Sequence, residues 1–148
     1  MPSVGATANI LTAAVLAEGT TVINNAAIEP EVTSLGTFLN KMGAKINGIG
    51  TNILTIEGVN SLTPANETNI PDRIEAATYL IAAAATKGTV RINKCNPSHI
   101  GAILKILKEA GCDIIIKNDT IELITNELKS VDIVTGVYPG IPTDIQAQ

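Results

Sequence analysis

The chain has 148 residues, 45% apolar and 16% charged, with 10 Lys+Arg against 14 Asp+Glu and a formal net charge of -4. That balance excludes a disordered polyelectrolyte and lacks the basic face that non-specific nucleic-acid binding needs. Aromatics reduce to Phe38, Tyr79 and Tyr138, so no base-stacking platform is expected. No apolar run approaches the roughly 18 residues of a membrane span, and Met1-Pro2-Ser3-Val4 is not a signal-peptide opening.

Residues 1–17 carry no charged side chain, and the first helix is expected over about Ser3–Ala17. A helix apolar or small all round reads as buried on every side. Thr20–Asn24 is a short β-branched strand. Val32, Leu35, Phe38, Leu39 and Met42 then follow helical spacing, with Pro30 at the first helical position and Gly43 just past the end. Ala44–Asn47 and Ile53–Glu57 form a hairpin across Gly48-Ile49-Gly50. Asn60–Asn66 has linker composition, and Glu67–Ile70 reads as a short extended piece.

The second half repeats this order. A charge-poor helix is expected over about Asp72–Ala85 and a strand over Thr89–Asn93. An amphipathic helix follows on Ile100, Ile103, Leu104 and Leu107, bounded by Pro97 and Gly111. Cys112–Lys117 and Thr120–Ile124 make a hairpin turning at Asn118-Asp119, and Val131–Thr135 reads as one more strand. Gly19-Thr20 matches Gly88-Thr89, Ile23-Asn24 matches Ile92-Asn93, and Ile53 matches Ile121. Internal repetition of this kind identifies one unit used more than once. Pro142-Thr143-Asp144-Ile145-Gln146-Ala147 also matches Pro71-Asp72-Arg73-Ile74-Glu75-Ala76, so a third unit begins near the end of the chain. Both ends fall inside units, which reads as a fragment of a longer protein.

Three matching helix starts read either as anion-contacting sites or as plain helix capping: Pro2-Ser3-Val4-Gly5, Pro71-Asp72-Arg73-Ile74 and Pro142-Thr143-Asp144-Ile145. In each, Pro is followed by a Ser, Asp or Thr able to cap a helix. The free N–H groups and dipole of such an end favour anions such as phosphate. The Ser3 start suits an anion best, since it lacks an acidic residue and Gly5 gives access to the backbone. Asp72 with Glu75 has the form of a capping box. The remaining polar candidates read as structural. Cys95 and Cys112 read as core packing in a reducing setting. His99 reads as a solvated residue in a first helical turn, and one His makes no zinc site. Gly48-Ile49-Gly50 reads as a turn, and Lys105 and Lys108 as the exposed face of a helix. No metal and no cofactor is expected.

Pro2-Ser3-Val4-Gly5-Ala6-Thr7, Leu16-Ala17-Glu18-Gly19-Thr20-Thr21, Asn40-Lys41-Met42-Gly43-Ala44, Pro71-Asp72-Arg73-Ile74-Glu75 and Pro142-Thr143-Asp144-Ile145-Gln146-Ala147-Gln148 together resemble the enolpyruvyl transferase family, in its UDP-N-acetylglucosamine branch. The resemblance covers essentially the whole chain. It implies an inside-out α/β fold of repeated βαβαββ-type units in two domains, with the active site in the cleft between them. Residues 1–66 would be the last unit of one domain, lacking its opening strand. Residues 67–148 would be the first unit of the other, plus the start of the next. The implied activity is cytoplasmic: transfer of enolpyruvyl from phosphoenolpyruvate to the 3-hydroxyl of UDP-N-acetylglucosamine in peptidoglycan synthesis.

Ser3, Val4 and Gly5 resemble the segment that contacts the diphosphate side of the UDP-sugar. Asp144 resembles the carboxylate beside the attacking hydroxyl, a candidate general base. Asp72, Glu75 and Thr143 resemble cleft-facing residues. The family's lysine before the Pro-Ser-Val-Gly run is replaced by Met1, and its cysteine loop and phosphoenolpyruvate-binding arginines have no counterpart here. The chain alone is therefore expected to be inactive, and to self-associate through an exposed apolar patch of Leu11, Val15, Leu80 and Ile81. The alternatives are a non-catalytic α/β repeat module or a piece of the shikimate-pathway sister enzyme.

Overall fold

Proline, serine and aspartate set where the helices begin. In the computed structural model, which describes residues 1–148, α1 spans Val4–Ala14 with Ser3 as its N-cap, and α2 spans Pro30–Lys41 with Pro30 in its first turn. The third helix, α3, spans Arg73–Ala85 with Asp72 as its N-cap. The last, α4, spans Gly101–Glu109 and is entered through a 3-10 turn, Pro97–Ile100, capped by Asn96. Glycine closes the two amphipathic helices. Gly43 and Gly111 take φ of +102° and +105°, the left-handed conformation that lets the chain leave the helix and enter the hairpin.

The strands are β1 (Thr20–Asn24), β2 (Lys45–Asn47), β3 (Ile53–Glu57), β4 (Thr89–Ile92), β5 (Cys112–Lys117) and β6 (Thr120–Thr125). They form two three-stranded antiparallel sheets, in the orders β1-β3-β2 and β4-β6-β5. In each, the last strand of the unit sits in the centre and pairs with both others, as in Val22 opposite Thr55 and Arg91 opposite Glu122. The two halves therefore share one helix–strand–helix–hairpin topology. The chain divides into two compact units, Met1–Ile70 and Pro71–Gln148.

Each unit buries one sheet face under its helices. In the first, Leu54 and Ile56 of β3 pack with Leu11, Ala14, Val15 and Leu39. In the second, Ile121 and Leu123 of β6 pack with Ala77, Leu80, Leu104 and Leu107. Alternation along β3 and β6 produces this, since successive side chains point to opposite faces. Each fully buried Leu or Ile contributes about 1.5–3 kcal/mol. The outer faces carry cross-strand ion pairs, Lys45–Glu57 at 3.5 Å and Arg91–Glu122 at 2.9 Å. Being exposed, such pairs are worth about 1 kcal/mol or less.

Several expectations are corrected. The first helix stops at Ala14, not Ala17. Neither α1 nor α3 is buried all round: Ile10 is 48% and Tyr79 58% exposed, because the elements of its own unit cover only part of each helix. The apolar exposure also falls on different residues. Leu11, Val15 and Leu80 are core residues, 1% exposed or less. Glu67–Ile70 and Val131–Thr135 are not strands, since neither has a ladder partner; only Thr135 makes an isolated bridge, to Ile141. Glu67 is instead tied to Lys41 at the end of α2, and that hydrogen bond holds its carboxyl below the usual range. The second unit therefore runs helix–strand–helix–hairpin without an opening strand. No helix is long and apolar enough to cross a membrane.

Candidate functional site

The first helix start is built as an open N-terminus. Ser3 is extended (φ -123°, ψ 120°), and its Oγ accepts from the Ala6 N–H at 3.2 Å. The N–H groups of Val4 and Gly5, in the first helical turn, have no intrahelical acceptor. Gly5 is exposed, and a Cβ there would meet no other atom within 4 Å. An incoming oxyanion could therefore reach this backbone. Thr7 anchors the turn from beneath. It is 3% exposed, and its Oγ1 donates to the Ser3 carbonyl at 2.8 Å and accepts from the Ala27 N–H at 3.0 Å. The helix start is thus fastened to the chain that follows β1. Sequence reasoning missed Thr7; a threonine four residues after a cap serine was the only available signal.

The second start is more tightly capped. Asp72 Oδ1 accepts from the N–H groups of Ile74 at 2.8 Å and Glu75 at 3.1 Å. Asp72 and Glu75 are both exposed. Arg73 between them is 5% exposed, with its guanidinium 5.5 Å from the centre of the Tyr138 ring. The sequence offered no sign of that burial.

The third start differs from the other two. Thr143–Ile145 is a single 3-10 turn, and Thr143 makes no side-chain cap, so its expected capping role is corrected. The cap position falls on Pro142, whose side chain has no acceptor, and Thr143 is already the first residue of the turn. Ile145 is buried against α3, and Gln148 Nε2 donates to Thr78 Oγ1 at 3.0 Å. Thr143 and Asp144 remain exposed. The second unit thus brings Asp144 onto a turn packed along α3, the helix that carries Asp72 and Glu75. Ser3, Val4 and Gly5 lie in the first unit.

The other polar candidates are structural. Cys95 and Cys112 are 5% and 4% exposed, and burial raises both thiols above their ordinary range. The Cys95 Sγ donates to the Asp119 carbonyl at 3.4 Å. His99 is half-buried rather than solvated, with Nε2 2.9 Å from the Asn96 side-chain amide, because its 3-10 turn folds it back on the cap. No three His, Cys, Asp or Glu side chains converge as a metal site requires.

A helix–strand–helix–hairpin unit used twice, with polar residues gathered at the helix starts, defines an α/β protein built on a repeated unit. The fold is that of the enolpyruvyl transferase NikO from Streptomyces tendae, matched with a TM-score of 0.80 at 24% identity over 97% of this chain and 35% of that one. The chain belongs to the EPSP synthase (3-phosphoshikimate 1-carboxyvinyltransferase) family, whose model matches residues 1–148. Among its relatives, the UDP-N-acetylglucosamine 1-carboxyvinyltransferase of Prosthecochloris aestuarii is 57% identical over 147 residues, 99% of this chain and 35% of the relative. The enzyme of the same name from Prochlorococcus marinus is 54% identical over 146 residues, 99% of this chain and 34% of the relative. That from Finegoldia magna is 53% identical over 150 residues, with shares of 99% and 36%. The chain spans about a third of the length of the curated relatives it matches.

Proposed function

We propose that the chain is part of an enzyme that transfers enolpyruvyl from phosphoenolpyruvate to the 3-hydroxyl of UDP-N-acetylglucosamine, the first committed step towards peptidoglycan. The observation that carries this reading is identity above half with relatives of that name along nearly the whole chain. The helix starts support it chemically. The open turn at Ser3, Val4 and Gly5 offers N–H donors to the diphosphate of the UDP-sugar. Asp144 accepts the proton of the attacking hydroxyl, and Asp72, Glu75 and Thr143 lie with it in the second unit. An alcohol becomes a competent nucleophile when a positioned carboxylate takes its proton, and that role is typically worth about 10²–10⁴-fold.

On this reading the two units belong to different domains of a longer, cytoplasmic protein, with the change of domain near residues 60–70, and the 148-residue chain alone turns over no substrate. It self-associates through its exposed apolar side chains: Ile10 at 48%, Leu16 at 55% and Tyr79 at 58%. The test is a complete transferase with this chain in place of the matching third of the Prosthecochloris aestuarii relative, assayed for phosphate release from phosphoenolpyruvate. Turnover with UDP-N-acetylglucosamine and none with 3-phosphoshikimate is the expected result. The reverse preference would assign the chain to the sister enzyme instead.

A further inference from the structure

Arg73 is the buried charge that this chemistry does not use. It opens α3 and is 5% exposed, an unusual place for a guanidinium, and lies 5.5 Å from the centre of the Tyr138 ring. That distance is within reach of a cation–π attraction. Tyr138 belongs to a turn closed by two backbone bonds, from the Gly136 N–H to the Ile141 carbonyl at 2.8 Å and from the Gly140 N–H to the Val137 carbonyl at 2.7 Å. Asp144 follows Ile141 by three residues. Ile145, one residue further, is buried against α3. The segment bearing Asp144 is thus held on both sides: upstream by Ile141, buried in the core, and where Tyr138 meets Arg73, downstream where Ile145 and Gln148 meet α3. Asp144 itself is exposed, and its turn has no side-chain cap.

We propose that Arg73 is a positioning residue: lying over the Tyr138 ring, it helps fasten the Gly136–Ile141 turn to the first turn of α3 and so fixes where the Asp144 carboxylate stands. The inference rests on the reading of Asp144 as proton acceptor.

Hydrogen exchange measured by NMR on the whole 148-residue chain tests the fastening without any substrate. Tyr138→Leu should speed exchange at the Gly136 and Gly140 amides about tenfold and leave the β5–β6 ladder at wild-type rates. Tyr138→Phe, which keeps the ring face, should behave as wild type. Arg73→Met should match Tyr138→Leu, and the double variant should be no faster than either. Unchanged exchange at Gly136 and Gly140 in Tyr138→Leu overturns the proposal. So does an acceleration that spreads equally to β5 and β6, which would mean general destabilisation.

In the complete transferase, Tyr138→Leu should lower kcat about tenfold with KM for phosphoenolpyruvate unchanged, and Tyr138→Phe should restore it. Wild-type kcat in Tyr138→Leu alongside an inactive Asp144→Ala overturns the positioning role and leaves the functional reading standing. Wild-type kcat in Asp144→Ala removes the functional reading instead, and the exchange rates then decide the fastening by themselves.

Discussion

Replacing Asp72 by Ala should destabilise the second unit more than the same change at either of the other helix starts. Asp72 Oδ1 accepts two N–H groups, at 2.8 and 3.1 Å, whereas Ser3 Oγ accepts one at 3.2 Å and Thr143 accepts none. Losing an N-cap typically costs about 1 kcal/mol. The charge of Asp72 at the positive end of α3 adds about 0.3–1 kcal/mol. Asp72→Ala should therefore cost about 1.5 kcal/mol in all, and Asp72→Asn, which keeps an acceptor and loses only the charge, about 0.5 kcal/mol. The loss reaches the core because α3 supplies Ala76, Ala77, Leu80 and Ala84 to it. For a unit of this size, 1.5 kcal/mol corresponds to a fall in melting temperature of about 6–12 °C. Ser3→Ala should cost about 0.5 kcal/mol, at the low end for a cap, and Thr143→Ala should cost nothing measurable. Urea unfolding followed by circular dichroism orders the series. Equal stability of Asp72→Ala and Thr143→Ala, or equal loss in Asp72→Ala and Asp72→Asn, would refute the capping argument.

Cys95→Ala and Cys112→Ala should each cost about 1 kcal/mol for the small cavity and leave turnover of the complete enzyme nearly intact; a tenfold loss of turnover at unchanged melting temperature would contradict that. Because burial raises both thiols, the folded chain holds those protons longer than the unfolded one. Their stabilising contribution should be fully present at neutral pH and lost as pH climbs past the ordinary thiol range, so urea midpoints that stay flat or rise there would show the sign to be wrong. Sedimentation at high micromolar concentration should reveal self-association of the 148-residue chain through Ile10, Leu16 and Tyr79, and a clean monomer would count against it.

Much of the fold could be read because the same punctuation occurs twice. Pro30 and Pro97 mark helix entry, and Gly43 and Gly111 mark the exit into a hairpin, so one unit checks the other. Segments whose structure depends on a partner were not legible. Glu67–Ile70 and Val131–Thr135 have strand-like composition, but a strand is stable only beside another, and here each lacks a ladder. Burial around α1 and α3 was misjudged for a related reason. Composition says that a helix can be buried on all sides, while the number of elements packed on it decides whether it is. In the candidate site, the caps at Ser3 and Asp72 follow from local sequence alone. Thr7 bonded to Ala27 and Arg73 lying over the Tyr138 ring join residues far apart in the chain, and no local pattern announces either.

The central claim is that Asp144 takes the proton from the attacking hydroxyl, and paired substitutions in the complete transferase test it most directly. Asp144 is exposed on a turn with no side-chain cap, so its removal should cost little stability. Asp144→Asn keeps the size and one acceptor oxygen but cannot take a proton at neutral pH. Both Asp144→Ala and Asp144→Asn should lose about 10²–10⁴-fold in kcat, with UDP-N-acetylglucosamine binding largely kept. Turnover restored by Asn but not by Ala would reduce Asp144 to an orienting hydrogen bond, and turnover within threefold of wild type in both would contradict the account.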